Sequence, residues 1–226
     1  VRVFDDIEAT KVVMRNTKLY VNREEGFIGT SLKKDEYVTD CSDIDDVIVF
    51  TADGKVMVTK VDTKIFIAKN ILHVAVFKKK DKRTTYNLIY KDGKNGPSYV
   101  KRFNITGVIR DRSYDLTNGA AGSEVLYFTA NPNGEAEIIS ILLRQVGSIK
   151  KLKWDIDFSD VLIKGRISKG NIVSKYAIKR IELKEKGVST LKPRNIWFDE
   201  VVNRLNVDGR GKLLGAFKGD NLLLVI

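Results

Sequence analysis

Cysteine and histidine are almost absent from this 226-residue chain, which has one of each, Cys41 and His73. A structural zinc site takes four Cys or His ligands and a disulfide takes two cysteines, so this chain alone can build neither. Proline is also scarce, with three residues, and no Ser-rich or Gly-rich stretch marks a linker between domains. The single cysteine favours a reducing cytoplasm.

Long hydrophobic runs are missing as well. The longest apolar stretches, Ile138 to Leu143 and Leu222 to Ile226, are far shorter than the roughly 20 residues of a membrane-spanning helix. Residues Val1 to Thr10 contain three acidic side chains and lack the initiator Met and cationic start of a signal peptide. We therefore expect no membrane contact, and a chain that begins inside a longer protein.

Motifs for catalysis are equally scarce. Gly165 and Gly170 have the spacing of a phosphate-binding loop, but Asn171 and Ile172 stand where that loop requires Lys and Ser or Thr. A histidine-based triad could use only His73, whose apolar neighbours predict a strand. We expect no catalytic residue and no metal site in this chain.

Repetition is what the sequence does contain. Two segments share Phe-Thr-Ala before a turn that contains Asp or Asn and ends in Gly, at Phe50 to Gly54 and Phe128 to Gly134. Weaker copies place an apolar run before a glycine, and the six glycine markers are Gly26, Gly54, Gly93, Gly134, Gly170 and Gly211. Their steps of 28, 39, 41, 36 and 41 residues are typical of bladed architectures.

Each marker has a physical reason. Asp-Gly and Asn-Gly adopt the positive φ angles of a tight hairpin turn, and the flanking residues are rich in Val, Ile, Tyr and Phe, which favour strands. No segment meets a sustained helical period. The sequence therefore predicts one all-β domain over residues 1–226, with about six hairpin-centred blades.

Basic residues outnumber acidic ones by 40 to 29, which gives a net charge of +11. The excess is uneven: residues 1–50 carry net −4, residues 51–143 net +6 and residues 144–194 net +9. Such a distribution indicates a polyanionic partner. The candidate contacts to such a partner are Lys78, Lys79, Lys80, Lys82, Arg83, Lys101, Arg102, Arg144, Lys150, Lys151, Lys153, Lys164, Arg166 and Lys169.

Two segments carry a family resemblance. Tyr20 to Leu32, with Glu24-Glu25-Gly26-Phe27-Ile28-Gly29, and Asp46 to Val58, with Phe50-Thr51-Ala52-Asp53-Gly54-Lys55-Val56, resemble the C-terminal domain of bacterial type IIA topoisomerase A subunits. The family pattern ends in Gly, a basic residue and Val. Gly134-Glu135-Ala136 and Gly170-Asn171-Ile172 depart from it.

The resemblance implies a β-pinwheel, a propeller-like disc whose neighbouring blades exchange strands and whose basic rim binds DNA. It also implies a fragment of a cytoplasmic, nucleoid-associated, ATP-dependent topoisomerase. The fragment itself takes no cofactor, because ATP and magnesium are used by other parts of the enzyme. The implied partners are double-stranded DNA, the rest of the A subunit, and the ATPase B subunit of an A2B2 assembly.

One absence favours topoisomerase IV over gyrase. Gyrase A subunits carry a Gln-Arg-Arg-Gly-Gly-Lys-Gly box after the first blade, and the corresponding stretch here, Lys34 to Asp43, is acidic and has no glycine pair. The resemblance then implies a domain that captures or bends duplex DNA for relaxation and decatenation. Two alternatives stay open: a gyrase A-subunit domain that wraps DNA for negative supercoiling, and a propeller-type protein-interaction module.

Overall fold

A computed structural model describes residues 17–147, 149–207 and 209–217. The acidic start at Val1 to Thr10 and the apolar run at Leu222 to Ile226 lie outside the described residues. In the described residues the regular structure is strand, apart from one 3₁₀ turn at Phe158–Asp160. The all-β prediction is confirmed.

Five small sheets form the described part of the chain. Sheet 1 has the spatial order β3 (Glu36–Cys41), β1 (Thr17–Asn22), β2 (Phe27–Gly29) and β6 (Ile65–Phe66). Sheet 2 has the order β7 (Ile71–Phe77), β4 (Asp46–Thr51), β5 (Lys55–Lys60) and β10 (Ser113–Asp115). Sheet 3 has the order β11 (Glu124–Asn131), β8 (Thr85–Lys91) and β9 (Ser98–Asn104), with β14 (Ile163–Gly165) and β15 (Asn171–Ser174) both on the outer edge of β9.

The last two sheets have three strands each. Sheet 4 has the order β13 (Lys153–Asp157), β12 (Glu135–Leu143) and β16 (Ile178–Ser189). Sheet 5 has the order β18 (Arg204–Val207), β17 (Arg194–Asp199) and β19 (Lys212–Phe217).

Neighbouring sheets exchange strands in a regular way. After the β4–β5 hairpin the chain returns as β6 to pair with β2 of sheet 1, and after the β8–β9 hairpin it returns as β10 to pair with β5 of sheet 2. After the β12–β13 hairpin it returns as β14 and β15 to β9 of sheet 3. This exchange is the feature expected of a β-pinwheel, and it ties each sheet to the one before it.

Period-two alternation explains the core. In β4, Val47 and Val49 pack toward sheet 1, whereas Ile48 and Phe50 pack toward sheet 3. Because successive side chains of a strand point to opposite faces, a continuous apolar run such as this one forms a strand that is buried on both sides. In β8, Leu88 and Tyr90 face sheet 2 and Ile89 faces sheet 4. Sheets 1 to 4 therefore pack one after another through three apolar clusters.

Three of the six glycine markers are not hairpin turns. Gly26, Gly54 and Gly93 do join paired strands, in sheets 1, 2 and 3. Gly134 instead connects β11 of sheet 3 to β12 of sheet 4, Gly170 lies between β14 and β15, and Gly211 lies between strands on opposite sides of β17. The described residues therefore form five sheets rather than six hairpin-centred blades, because a glycine turn reverses the chain without deciding which strands pair.

His73 lies in β7 among aromatic rings, with ring centroids 5.9 Å from Phe50 and 5.7 Å from Phe128. Burial, aided by the charge of Arg23, lowers the pKa of His73 to about 4. Its structural role as a strand residue agrees with the sequence analysis.

A pH titration of stability checks this burial. The unfolded chain binds a proton at His73 near pH 6.5 and the folded chain does not until about pH 4, so folded stability is lost as pH falls through this window. We expect the free energy of unfolding to fall by about 2 kcal/mol between pH 7.5 and pH 5, measured by urea denaturation. His73→Gln should remove this fall, and an equal fall in the variant would contradict the assignment.

Candidate nucleic-acid interface

Residues 78–83, called the basic loop, lie between β7 and β8, and hydrogen bonds fix the backbone of this loop. The carboxylate of Asp81 accepts hydrogen bonds from the backbone N–H of Arg83 at 2.7 Å and from the hydroxyl of Thr84 at 2.7 Å. Lys80 has a left-handed backbone, with φ of 62°, and its N–H donates to the carbonyl of Thr106 at 2.8 Å. These bonds hold the loop in one shape before any ligand arrives.

The basic loop presents four exposed side chains, Lys78, Lys79, Lys80 and Lys82. Arg83 is only half-exposed and turns toward sheet 4. Its Nε lies 3.4 Å and its Nη2 3.3 Å from Oδ1 of Asn133, and its Nη1 lies 3.4 Å from the carbonyl of Lys192. The structure therefore places Lys192, which sequence reasoning missed, beside the basic loop.

The outer edge of sheet 3 is a second cationic region. Lys164 lies on β14, and residues 166–170, called the edge loop, carry Arg166 and Lys169. The Arg166 guanidinium carbon lies 4.1 Å from the ring centroid of Tyr114 on β10, and that of Arg112 lies 5.4 Å from the same ring. Arg112 was not predicted, because 54 residues separate it from Arg166 in sequence.

Asn104 joins these two regions. Its side-chain amide donates to the carbonyls of Lys82 at 3.2 Å and Thr84 at 2.7 Å, and its backbone pairs with Gly165 of β14. The basic loop and the start of the edge loop thus lie at the same end of β9. We call the combined set the third-sheet basic surface; its members are Lys78, Lys79, Lys80, Lys82, Arg112, Lys164, Arg166 and Lys169.

Lys101 and Arg102 do not belong to this surface, although the sequence analysis included them. Each is 2% exposed. Nζ of Lys101 donates to the carbonyls of Arg166 at 2.9 Å and Ser168 at 3.1 Å. Lys101 is buried beneath the edge loop that joins β14 to β15. Arg102 points to the opposite face of β9 and is buried between sheets 3 and 4.

Arg102 is the centre of a buried polar network between sheets 3 and 4. Its Nη2 donates to the carbonyls of Gly134 at 2.6 Å and Glu135 at 3.1 Å, and its Nε donates to Oδ1 of Asn87 at 3.0 Å. The amide of Asn87 donates in turn to Oε2 of the buried Glu137 at 2.8 Å. Burial lowers the pKa of Arg102, and nearby carboxylates, Glu137 first, oppose that shift.

The remaining candidates lie at the far end of sheet 4. Arg144, Lys150, Lys151 and Lys153 are exposed at the loop between β12 and β13. The basic loop contacts Asn133, next to the opposite end of β12, and a nine-residue strand spans roughly 27 Å. The two densest cationic clusters of the sequence are therefore separate surfaces.

The sequence of this chain matches a known protein family. The profile of the family described as "Topoisomerase C-terminal domain, Bacteroidota" matches residues 18–186, about three quarters of the chain. The chain belongs to this family. The resemblance found in the sequence to type IIA topoisomerase A subunits is thereby confirmed.

Two further similarities accompany this topoisomerase C-terminal domain. The A subunit of DNA topoisomerase 4 from Borreliella burgdorferi is 27% identical over 175 residues, which cover 77% of this chain and 26% of that protein. The chain thus spans about a quarter of the length of this relative. A crystal structure of the C-terminal domain of DNA topoisomerase IV aligns with a TM-score of 0.49 and 12% identity, over 80% of this chain and 64% of that one.

The acidic stretch of this topoisomerase domain forms an edge strand of sheet 1. Residues 36–41 of the Lys34 to Asp43 segment make up β3, which pairs with β1. Glu36 and Asp40 are exposed there, and Arg23 forms an ion pair with Glu36 at 2.7 Å that lowers the pKa of this carboxyl. The described part of sheet 1 is therefore a poor surface for a polyanion.

In the described ranges no group of three or more His, Cys, Asp or Glu side chains is arranged to hold a metal ion. Among these same residues, no helix has the length and apolar character needed to cross a bilayer.

Proposed function

We propose that this chain is the DNA-binding C-terminal part of a topoisomerase IV A subunit. It captures or bends duplex DNA on the third-sheet basic surface and presents it to the strand-passage core for relaxation and decatenation. The observation that carries this proposal is the gathering of eight cationic side chains, from three separate segments of the chain, around β9. The topoisomerase family of the chain supplies the context.

The chemistry of this surface suits a phosphate backbone. Lysine and arginine neutralise phosphates and release condensed counterions, which gives affinity without reading the base sequence. Eight such contacts would give a slope of log affinity against log salt of up to about −7. Because contacts from Lys and Arg to phosphates carry no sequence information, we infer that binding is sequence-tolerant.

The acidic sheet 1 favours capture over full wrapping. Bending a 20 to 30 base-pair segment by 40 to 90° costs of order 1 to 6 kcal/mol, and cationic contacts must offset that energy around the whole rim. Glu36 and Asp40 on β3 oppose such contacts where a gyrase would place its basic box. The Borreliella burgdorferi relative, named as a DNA topoisomerase 4 protein, supports the same choice.

The rest of the enzyme follows from this proposal. Residues 1–226 form one DNA-binding domain of a cytoplasmic, nucleoid-associated topoisomerase, in which two A chains and two ATPase B chains form an A2B2 assembly. Strand cleavage, ATP and magnesium belong to those other parts, so the domain binds DNA without cutting it and takes no cofactor of its own.

Ligation of a nicked plasmid with saturating protein tests the proposal. We expect duplex binding in a gel shift at low salt, and after ligation only a small change in linking number per bound domain, because the cationic surface is an arc and not a ring. A large positive shift per domain would assign the chain to the gyrase type. Absence of any gel shift at low salt would instead favour a protein-interaction module.

A further inference from the structure

A buried lysine supports the edge loop of the third-sheet basic surface. Lys101 lies in the middle of β9, between Arg102, which pairs with Ile163 of β14, and Val100, which pairs with Asn171 of β15. The edge loop connects these two strands and passes over Lys101. The loop turns its carbonyl oxygens at Arg166 and Ser168 inward, and Nζ of Lys101 donates to both, at 2.9 and 3.1 Å.

The surroundings of this ammonium are mostly apolar. Nζ lies 4.9 Å from the ring centroid of Phe103 and 5.8 Å from that of Tyr90, and its hydrogen-bond partners in the described residues are carbonyls rather than carboxylates. Burial lowers the pKa of Lys101 to about 8, and the charge of Asp115 on β10 opposes this shift. Two of the three N–H donors of this ammonium are bound to the protein, and its burial keeps it away from a phosphate at the surface.

The edge loop that Lys101 supports carries polar groups without hydrogen-bond partners among the described residues. Nε of Arg166 and Oγ of Ser168 are buried, and neither has a hydrogen-bond partner within residues 17–147, 149–207 and 209–217. The guanidinium groups of Arg166 and Arg112 lie against one ring, Tyr114, so two like charges are close together. An anion such as a phosphate beside the two guanidinium groups would reduce this repulsion.

The close packing of the loop shows how little freedom it has. Gly170 closes the loop with φ of +89°, and a Cβ placed there would lie 2.4 Å from the carbonyl oxygen of Val100 and 3.0 Å from Cβ of Lys101. The hydroxyl of Tyr90 donates to the carbonyl of Lys169 at 2.6 Å. The shape of the loop therefore depends on the residues beneath it, and Lys101 provides two of its inward bonds.

We propose that Lys101 is a positioning residue, which holds the edge loop in the shape that presents Arg166 and Lys169 to DNA phosphates and does not touch DNA itself. This inference rests on the proposed function. Without the ammonium, two inward carbonyls of the loop lose their donor, and the loop must rearrange to satisfy them. Arg166 then leaves Tyr114, and Lys169 leaves the ring of Tyr99, whose centroid lies 5.2 Å from its Nζ.

The test compares Lys101→Met with Lys164→Met, a matched exposed lysine on β14. Anisotropy titrations with a duplex over a range of salt give the affinity and the salt slope. Loss of the two edge-loop contacts through Lys101→Met should weaken binding about 60-fold at 0.1 M salt and reduce the slope by about 1.8. Loss of one direct contact through Lys164→Met should reduce the slope by about 0.9.

Non-additivity separates positioning from direct contact. In a chain that already carries Arg166→Gln and Lys169→Gln, adding Lys101→Met should weaken binding less than twofold, because the contacts it disturbs are gone. A further loss of about eightfold in that background, as for one direct phosphate contact, would overturn the inference. Gly170→Ala distorts the same loop while keeping Lys101, so it should weaken binding as Lys101→Met does; unchanged binding would also overturn it.

Amide hydrogen exchange tests whether Lys101 holds the edge loop, and this test does not depend on DNA binding. Amides of residues 166–170 should exchange faster in Lys101→Met and at the wild-type rate in Lys164→Met. If the wild-type chain binds no duplex, the proposed function fails. Faster exchange in Lys101→Met would still show that Lys101 holds the edge loop in place. Unchanged exchange in Lys101→Met would overturn the inference whatever the DNA result.

Discussion

Removal of the four exposed lysine charges of the basic loop is expected to weaken duplex binding by up to about 4,000-fold at 0.1 M salt. The variant replaces Lys78, Lys79, Lys80 and Lys82 with glutamine. Each phosphate contact that is lost reduces the slope of log affinity against log salt by about 0.9, so the slope should fall by up to about 3.6. Because the contacts are to the backbone, duplexes of different sequence should lose affinity equally.

A matched control separates position from net charge. Lys33, Lys34, Lys60 and Lys69 are also exposed and lie outside the third-sheet basic surface, so replacing these four with glutamine changes the net charge by the same amount. Binding by this control should stay within a few-fold of the wild type, in anisotropy titrations over the same salt range. Equal losses in both variants would show that net charge alone drives binding and would contradict the assignment of the surface.

Arg102→Met is expected to lower the free energy of unfolding by about 3 to 5 kcal/mol. The change leaves the carbonyls of Gly134 and Glu135 without their guanidinium donor. It also removes the cation that compensates the buried carboxylate of Glu137, which Asn87 connects to Arg102. A buried charge without its partner is far more destabilising than the absence of the whole pair.

Urea denaturation measures the free energy of unfolding of Arg102→Met, and a variant of an exposed arginine serves as the control. Arg144→Met should change the free energy of unfolding by less than about 0.5 kcal/mol, because the side chain is exposed at the end of sheet 4. Adding Glu137→Met to Arg102→Met should restore part of the loss, since the uncompensated carboxylate is then gone. A loss below about 1 kcal/mol in Arg102→Met would show that the network contributes little to the packing of sheets 3 and 4.

Within the proposed interface, the sequence predicted those features that depend only on residues close together in the chain. The run of lysines from Lys78 to Lys82 indicated a solvated cationic loop, and the structure has it exposed. Lys101 and Arg102 gave the same signal, yet they are buried, because the loop between β14 and β15 covers Lys101 and sheet 4 covers Arg102. Arg112 gave no signal, since only the return of β10 to sheet 2 brings it to Arg166.

By itself, the sequence determined the strand character of this protein and the places where its chain reverses, because side-chain shape and glycine φ angles act within a few residues. Gly54 and Gly134 illustrate both sides of this division. Their turns are alike, with N–H donating to the carbonyl three residues before at 3.0 and 3.1 Å and φ of 79° and 61°. Yet Gly54 joins two paired strands of sheet 2, whereas Gly134 passes the chain from sheet 3 to sheet 4. Only the tertiary structure decided which strands pair and which lysines are buried, because those outcomes depend on the register and packing of segments that are far apart in sequence.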